Sequence, residues 1–324
     1  MPKLLAYVDR NMRRTVSVLK PIARKLLAYV DRFILHRRVF TWLIVLQAGL
    51  IVTGGIVRLT KSGLGCPTWP TCTTESYVPV KGQLQGALHS WIEFGNRLLT
   101  FVLVIGSLLA IATALRLYGR RKPRYILIMT LLQFIGILGQ GVLGGITVLT
   151  KLNPIPVAGH FLLSIVLVAG AISLRQRAFG RESLALKATT QYMSKILVAL
   201  TGLVLVVGTV VTGSGPHAGD IQAPRTGFDP AKVALLHGDL VIALISLTIG
   251  LLLVIRVSEN DPAKKIIYRA VAVFLFVSLA QGFIGYVQYF TALPELLVGA
   301  HLLGSTLVWG AVWRINLLSP SIRK

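Results

Sequence analysis

Hydrophobic residues along this chain fall in eight long runs, which polar, proline-containing or basic stretches separate. The runs lie at 39–60, 87–115, 125–149, 157–174, 196–213, 231–255, 270–290 and 296–314. Each run is close to the roughly 20 residues that an α-helix needs to cross the hydrocarbon of a bilayer. The pattern therefore predicts an all-α polytopic membrane protein with eight transmembrane helices.

The third and fourth runs, with the turn between them, recur later in the chain as the seventh and eighth. Residues 138–164 align on residues 279–305 without a gap, and ten of the 27 positions are identical. A match this long indicates two related halves of four spans each. Because four is an even number, the halves run parallel about an axis along the membrane normal. This predicts two pseudo-symmetric four-helix bundles.

Composition and charge agree with a membrane protein and set its orientation. More than half of the residues are hydrophobic, and the mean hydropathy of +0.72 excludes an ordinary soluble domain. Twenty-seven of the 34 lysines and arginines lie in the leader, in 116–124, 175–195 and 256–269, or in the tail from Arg314. Positive residues stay cytoplasmic, so both termini are predicted inside. The net charge of +23 is then a topology signal, and nucleic-acid binding is not expected.

These boundaries divide the chain into five parts. They are a basic cytoplasmic leader (1–38), an N-terminal four-helix bundle (39–174), a cytoplasmic linker (175–195), a C-terminal four-helix bundle (196–315) and a cytoplasmic tail (316–324). The leader contains the octapeptide KLLAYVDR twice, at 3–10 and 25–32. Short amphipathic helices on an anionic membrane surface and an extended basic segment both fit this pattern.

Four of the six histidines lie at the start of even-numbered spans: His89, His160, His237 and His301. Even-numbered spans begin at the outer face, so these side chains are predicted at one depth near that face. His237 and His301 come from two helices of one bundle, which suits two axial imidazoles on a haem iron. Polar contacts between helices are the structural alternative, and zinc is less favoured because no cysteine and few carboxylates accompany the histidines. The other two, His36 in the leader and His217 in an outer loop, are predicted to be solvated and structural.

Glu93 is the acidic residue that lies well inside a span. His89 precedes it by one turn, and Asn96 and Arg97 follow on the same helical face. A salt bridge to Arg97, proton transfer, and stabilisation of positive charge on a reacting group are all open roles for this carboxylate. Arg97 or Arg58 could pair with a haem propionate.

Cys66 and Cys72 lie in the first outer loop with Pro67, Trp69 and Pro70. They face the oxidising side of the membrane, and a disulfide is predicted there. Two cysteines alone do not separate a structural disulfide from a redox-active pair.

These residues together resemble haem A synthase. The resemblance rests on GGIVRLTKSGLGCPTWPTC at 54–72, on Glu93 followed by Arg97, and on the histidines that head spans four, six and eight, and it covers about 40–315. It implies eight spans in two bundles and an enzyme that oxidises the C8 methyl group of haem O to a formyl group. The product, haem A, serves terminal oxidases.

The resemblance also implies roles for individual residues. His237 and His301 would bind haem b in the C-terminal bundle, and His160 would bind the iron of the substrate haem O in the N-terminal bundle. Glu93 would be needed in the later oxidation steps, and the pair Cys66–Cys72 would be linked to function. The implied partners are haem O synthase, cytochrome oxidase assembly factors and the lipid bilayer of the plasma membrane, and self-association is left open.

One position departs from the family pattern. In that family a histidine follows the glutamate by three residues, whereas this chain has Asn96. An amide is a poor iron ligand, and His89 lies about 10 Å farther along the same helix face. We therefore expect the substrate iron to be bound by His160 alone or with an exchangeable sixth ligand, and His89 to support Glu93 or a propionate. A bis-histidine cytochrome that takes electrons from quinol, and a transporter, are the alternative functions.

Overall fold

The computed structural model describes residues 38–119, 123–179 and 183–319, and within them it is built from eight long helices. They are α1 (Arg38–Leu59), α2 (Ala87–Gly119), α3 (Arg124–Leu149), α4 (Pro154–Phe179), α5 (Ala188–Ser214), α6 (Pro230–Ser258), α7 (Ala263–Phe290) and α8 (Glu295–Leu318). The repeated octapeptides of the basic leader, His36 and most of the tail lie outside the described residues, so neither interpretation of the leader is tested.

All eight helices in the described part of the chain are long and apolar enough to cross a membrane. In the most hydrophobic 18 residues of each helix, between 22% and 39% of the stretch is buried inside the protein. The rest is available for contact with lipid. The prediction of an all-α polytopic membrane protein is confirmed. Several helices extend past the predicted apolar runs, because hydropathy marks only the part that lies in hydrocarbon. The largest difference is α5, which begins at Ala188 and not near 196.

Proline and aspartate mark several helix starts. Pro154 and Pro230 are the first residues of α4 and α6, where a missing N–H costs no hydrogen bond. The Asp229 side chain accepts hydrogen bonds from the backbone N–H groups of Ala231 and Lys232. These residues fix where α4 and α6 begin. His160 is the seventh residue of α4, and His237 is the eighth residue of α6.

The helices pack mainly within each half. In the first half α1 contacts α2 and α4, and α3 contacts α2 and α4, while α5–α8 make the corresponding contacts in the second half. One buried core lies in the first half around Phe40 and Leu43, and a second, around Phe274 and Val312, extends into the first half at Ile51 and Ile165. The halves meet where α8 packs against α1 and α4, and where α4 packs against α5.

The turn between the last two helices has the same backbone conformation in both halves. Lys151 and Leu152 have φ of 51° and 61°, and Ala292 and Leu293 both have φ of 60°. In each turn the leucine N–H donates to a carbonyl of the preceding helix, at 2.7 Å to Thr147 and at 2.8 Å to Gln288. The sequence repeat is therefore also a repeat of local structure, and it places His160 and His301 alike.

Candidate functional site

His237 on α6 and His301 on α8 lie in the second half, as the eighth and seventh residues of their helices. Each imidazole packs against a glycine of the preceding helix. An added Cβ would lie 3.3 Å from His237 Cε1 at Gly208, and 3.2 Å from His301 Cε1 at Gly285. The missing side chains leave the space that the two imidazoles occupy between the helices.

His160 has the same surroundings in the first half. A Cβ on Gly144 would lie 3.3 Å from His160 Cε1. The Gln140 side-chain amide donates to the His160 carbonyl at 3.0 Å, as Gln281 does to the His301 carbonyl at 2.6 Å. These contacts use positions that are identical in the two copies of the repeat.

The three histidines fit the ligation of haem iron. Among the described residues, the Nδ1 atoms of His160, His237 and His301 are buried, and the backbone of Val204 lies near the His237 ring and that of Gln281 near the His301 ring. An imidazole whose Nδ1 faces helix backbone can offer its Nε2 atom to a metal. A neutral imidazole is the usual histidine ligand of a metal. The second half can supply two such ligands, and the first half supplies one at the matching place.

Asn96 is the counterpart of His237 in the first half. The shift of 141 residues that aligns His160 with His301 also aligns Asn96 with His237. The Asn96 Oδ1 atom accepts a hydrogen bond of 2.8 Å from the Thr53 hydroxyl on α1. The first half therefore pairs its histidine with an amide and a hydroxyl where the second half has a second imidazole.

His89 does not share the position of the other three. It is the third residue of α2, whereas His160, His237 and His301 are the seventh or eighth residues of their helices. Its Nδ1 atom is hydrogen-bonded to the Ser62 hydroxyl of the first outer loop at 3.0 Å. His89 precedes Asn96, the counterpart of His237, by seven residues, so it lies about two helical turns nearer the start of α2, where it contacts the loop.

Glu93 and Arg97 form a salt bridge at the outer end of α2. The Arg97 guanidinium donates to Glu93 Oε1 at 2.5 and 3.1 Å, and Glu93 is only 5% exposed. The same guanidinium donates to the carbonyls of Cys66, Thr68 and Thr71 at 2.8 to 3.0 Å. Glu93 Oε2 accepts from the Cys66 N–H at 2.7 Å. The pair joins α2 to the first outer loop.

Cys66 and Cys72 form the predicted disulfide, and both side chains are fully buried. We call residues 66–72 the disulfide loop. The Trp69 ring of this loop packs on Gly145 of α3, next to the glycine that contacts His160. The disulfide, Glu93 and His160 are thereby joined through one set of packed residues.

Arg58 joins the two halves instead of pointing at either group of histidines. Its guanidinium donates to the carbonyls of His217 and Thr212, the latter at 2.8 Å. The His217 Nε2 atom is in turn hydrogen-bonded to the Leu293 carbonyl at 2.8 Å, so this predicted solvated histidine is a half-buried structural residue.

Sequence reasoning missed Thr53, Gln140, Gln281 and Trp69. The two glutamines and the glycines at 144 and 285 were visible as identical positions of the repeat, but their contacts with the histidines were not. Thr53 and Trp69 carried no comparable signal.

Comparison with known proteins gives one matching family model and relatives that share one name. The model of the family described as "Cytochrome oxidase assembly protein" matches residues 37–224. A protein of Geobacillus thermodenitrificans named "Heme A synthase" is 33% identical over 111 residues, 34% of this chain and 32% of the relative. One of the same name from Geobacillus kaustophilus is 35% identical over 104 residues, 32% of this chain and 30% of the relative. A third, from Shewanella oneidensis, is 28% identical over 189 residues, 53% of this chain and 55% of the relative. The matched stretches thus span about a third to about half the length of these relatives.

Proposed function

The chain belongs to the family of cytochrome oxidase assembly proteins, and from that premise we propose that it is a haem A synthase, which oxidises the C8 methyl group of haem O to a formyl group. The observation that carries the proposal is the difference between the halves. One half has two histidines at matching places on α6 and α8, whereas the other has a histidine, an asparagine and a buried carboxylate. Two histidines leave an iron no open position, so the second half suits electron transfer and the first half suits chemistry.

The second half is the proposed site of haem b. His237 and His301 would hold the iron, and Gly208 and Gly285 leave room for their rings. Haem b bound there would supply one-electron transfer. Conversion of a methyl to a formyl group, written with water as the oxygen donor, is R–CH3 + H2O → R–CHO + 4 H+ + 4 e−. The reaction therefore needs a route by which electrons leave the site.

The first half is the proposed site of the substrate haem O. His160 would bind the substrate iron from α4, and the open face would look toward Asn96 and Thr53. Because the Thr53 hydroxyl donates to Asn96 Oδ1, the Asn96 amide N–H groups would remain available as donors to an oxygen atom of the bound substrate. An exchangeable ligand at this position agrees with the poor affinity of an amide for iron.

Glu93 is the proposed catalytic carboxylate of the first half. Hydrogen bonds from Arg97 and from the Cys66 N–H hold both carboxylate oxygens in a fixed orientation. A fixed carboxylate in a water-poor bundle suits the stabilisation of positive charge on the reacting group better than the transport of protons. Of the roles that the sequence left open for Glu93, this favours the stabilisation of positive charge.

The proposal includes a membrane orientation and partners. Both termini would lie in the cytoplasm of a cell with this protein in its plasma membrane, and the histidines would lie near the outer face. Haem O synthase would deliver the substrate, and factors that assemble cytochrome oxidase would receive the product.

Haem extraction tests the proposal. The full chain is purified in detergent, its haem is extracted with acid, and the products are separated by chromatography and identified by mass. We expect haem b together with haem O or haem A. His301→Ala should lose haem b, His160→Ala should lose the substrate haem, and the matched control His89→Ala should keep both.

Two outcomes would contradict the proposal. Haem b without haem O or haem A, in every preparation, would favour the cytochrome that takes electrons from quinol. The absence of all haem would favour a transporter. Loss of substrate-haem binding in His89→Ala would show that this histidine has more than a supporting role.

A further inference from the structure

We propose that Trp69 positions the substrate in the first half and that the disulfide loop exists to hold this tryptophan in place. Residues 66–72 would close the outer end of the substrate site, with the indole ring as its wall beside His160. The identity of the substrate rests on the proposed function, whereas the placement of Trp69 rests on contacts within this chain.

The disulfide loop is fastened to the head of α2 over most of its length. Arg97 donates to three of its carbonyls, and Glu93 accepts from its first N–H group. One residue earlier, the Gly65 carbonyl accepts from the Ser90 hydroxyl at 2.9 Å. The disulfide closes the loop between its first and last residues. A loop held at so many points presents its central side chain in one orientation.

Trp69 is that central side chain, and it rests on a surface that α3 provides only in the first half. A Cβ on Gly145 would lie 2.6 Å from Trp69 Cε2 and 2.9 Å from Cε3, so only glycine allows the ring to pack there. The aligned residue of the second half is Tyr286, whose side chain stacks on Phe290 of the same helix. The half proposed to bind substrate thus lacks a side chain at the position where the tryptophan enters.

The indole and the imidazole of His160 pack on neighbouring glycines of α3. Gly145 follows Gly144, and a Cβ on Gly144 would lie 3.3 Å from His160 Cε1. Trp69 is still 38% exposed, so part of its ring surface is free to contact a ligand. A rigid aromatic surface beside an iron ligand suits contact with the edge of a planar, largely apolar macrocycle. Fixing that edge would fix which methyl group approaches the reactive position.

The packing of Trp69 on Gly145 can be tested without measuring haem. In Gly145→Ala the added methyl displaces the ring, and the buried disulfide becomes accessible. We expect its reduction by dithiothreitol, followed by maleimide labelling of the full-length protein in detergent, to be about tenfold faster. The matched control is Gly141→Ala on the same helix, where a Cβ meets nothing within 4 Å, and its rate should be unchanged.

A double variant separates the tryptophan contact from a general loosening of α3. In a Trp69→Ala background the methyl of Gly145→Ala has no ring to displace, so adding it should not change the reduction rate further. An equal acceleration in both backgrounds, or equal rates for Gly145→Ala and Gly141→Ala, would overturn the packing of Trp69 on Gly145.

Haem extraction from the same variants tests whether Trp69 positions the substrate. Gly145→Ala and Trp69→Ala should retain several-fold less haem O and haem A than the unaltered protein, with haem b unchanged. Faster reduction of the disulfide with normal substrate haem would overturn the positioning role while leaving the proposed function intact. Absence of haem O and haem A from the unaltered protein would instead overturn the proposed function, whatever the reduction rates.

Discussion

Arg97 links the helix that carries Glu93 to the loop that carries the disulfide. Its guanidinium has five N–H donors in a planar fork, and it reaches one carboxylate oxygen and three carbonyls. Lysine offers only a point charge with three rotatable donors, so the arrangement is specific to arginine. At the residue scale this one side chain connects the candidate catalytic carboxylate with the outer loop.

The buried Glu93–Arg97 pair should stabilise the protein far more than an exposed pair with the same spacing. Arg97→Gln leaves a buried carboxylate without its partner, and we expect a loss of about 3 to 5 kcal/mol in the free energy of unfolding. The control is Lys265→Gln, which removes the salt bridge to Asp261 between side chains that are 80% and 56% exposed. That loss should be at most about 0.5 kcal/mol. Thermal unfolding in detergent measures both, and similar shifts in Tm would contradict the prediction.

Asn96 should determine how the substrate iron is ligated. In Asn96→His a second imidazole would face His160, as His237 and His301 are placed in the other half. We expect a second low-spin haem signal, by absorption and electron paramagnetic resonance spectroscopy, where the unaltered protein shows an iron with an exchangeable ligand. Asn96→Ala controls for loss of the bond to Thr53. A low-spin substrate haem in the unaltered protein would contradict an open position.

Helices and loops approach each other closely at glycines, because a glycine has no side chain to separate them. Gly55 of α1 faces the Leu302 side chain of α8, and Gly65 lies against the backbone of His89 and Ser90 at the head of α2. The first contact joins the two halves, and the second lets the first outer loop approach a helix end. Small residues serve the same purpose at helix contacts in membrane proteins generally.

The loop–helix contact at Gly65 should not tolerate a methyl group. A Cβ there would lie 2.6 Å from the His89 carbonyl carbon and 2.9 Å from Ser90 Cα, and backbone atoms cannot rotate away. Gly65→Ala should therefore cost about 1 to 3 kcal/mol and lower Tm in detergent. Gly95→Ala, where a Cβ meets nothing within 4 Å, should leave Tm unchanged or slightly raised, since alanine favours helix. Equal effects of the two changes would show that the loop does not pack tightly on α2.

The whole molecule is two halves joined at the outer end and along α8. Leu152, from the outer turn of the first half, packs on Gly63 of the first outer loop and on Gly219 of the second. Farther along, the indole N–H groups of Trp309 and Trp313 on α8 donate to the Ile165 carbonyl at 2.9 Å and to the Ser173 hydroxyl at 2.7 Å on α4. These contacts fasten α8 of the second half to α4 of the first, the helices that carry His301 and His160.

The orientation of the molecule in the membrane is tested by single cysteines. Both natural cysteines are buried in a disulfide, so a new cysteine is the only thiol to label. A membrane-impermeant maleimide should label Lys81→Cys in intact cells, and Lys265→Cys only after the membrane is opened. The physical reason is the positive-inside rule, since Lys265 lies in a basic connection and Lys81 in a long outer loop. The reverse pattern would place both termini outside.

Much of the fold could be predicted from the sequence, and less of the site. The eight helices follow from hydrophobic length, and the equivalence of His160 and His301 follows from the repeat. Helix ends were predicted less well, because α4 and α5 continue with polar residues beyond the hydrocarbon. The neighbours of the site residues depend on loops that fold back over 20 or more residues, such as Cys66 on Glu93. No local pattern encodes such contacts.

The sequence by itself determined the class of protein, the number of spans and the repeat that relates His160 to His301. These depend on quantities local to a segment, namely its apolar length, its charge and its similarity to another segment. Only the tertiary structure decided which partners the polar side chains take. Arg97 and Glu93 hold the disulfide loop, Arg58 joins the halves, and Trp69 packs on Gly145 beside His160. The reason is physical: in a water-poor bundle each polar group must find a partner, and which partner is within reach depends on how distant segments pack together.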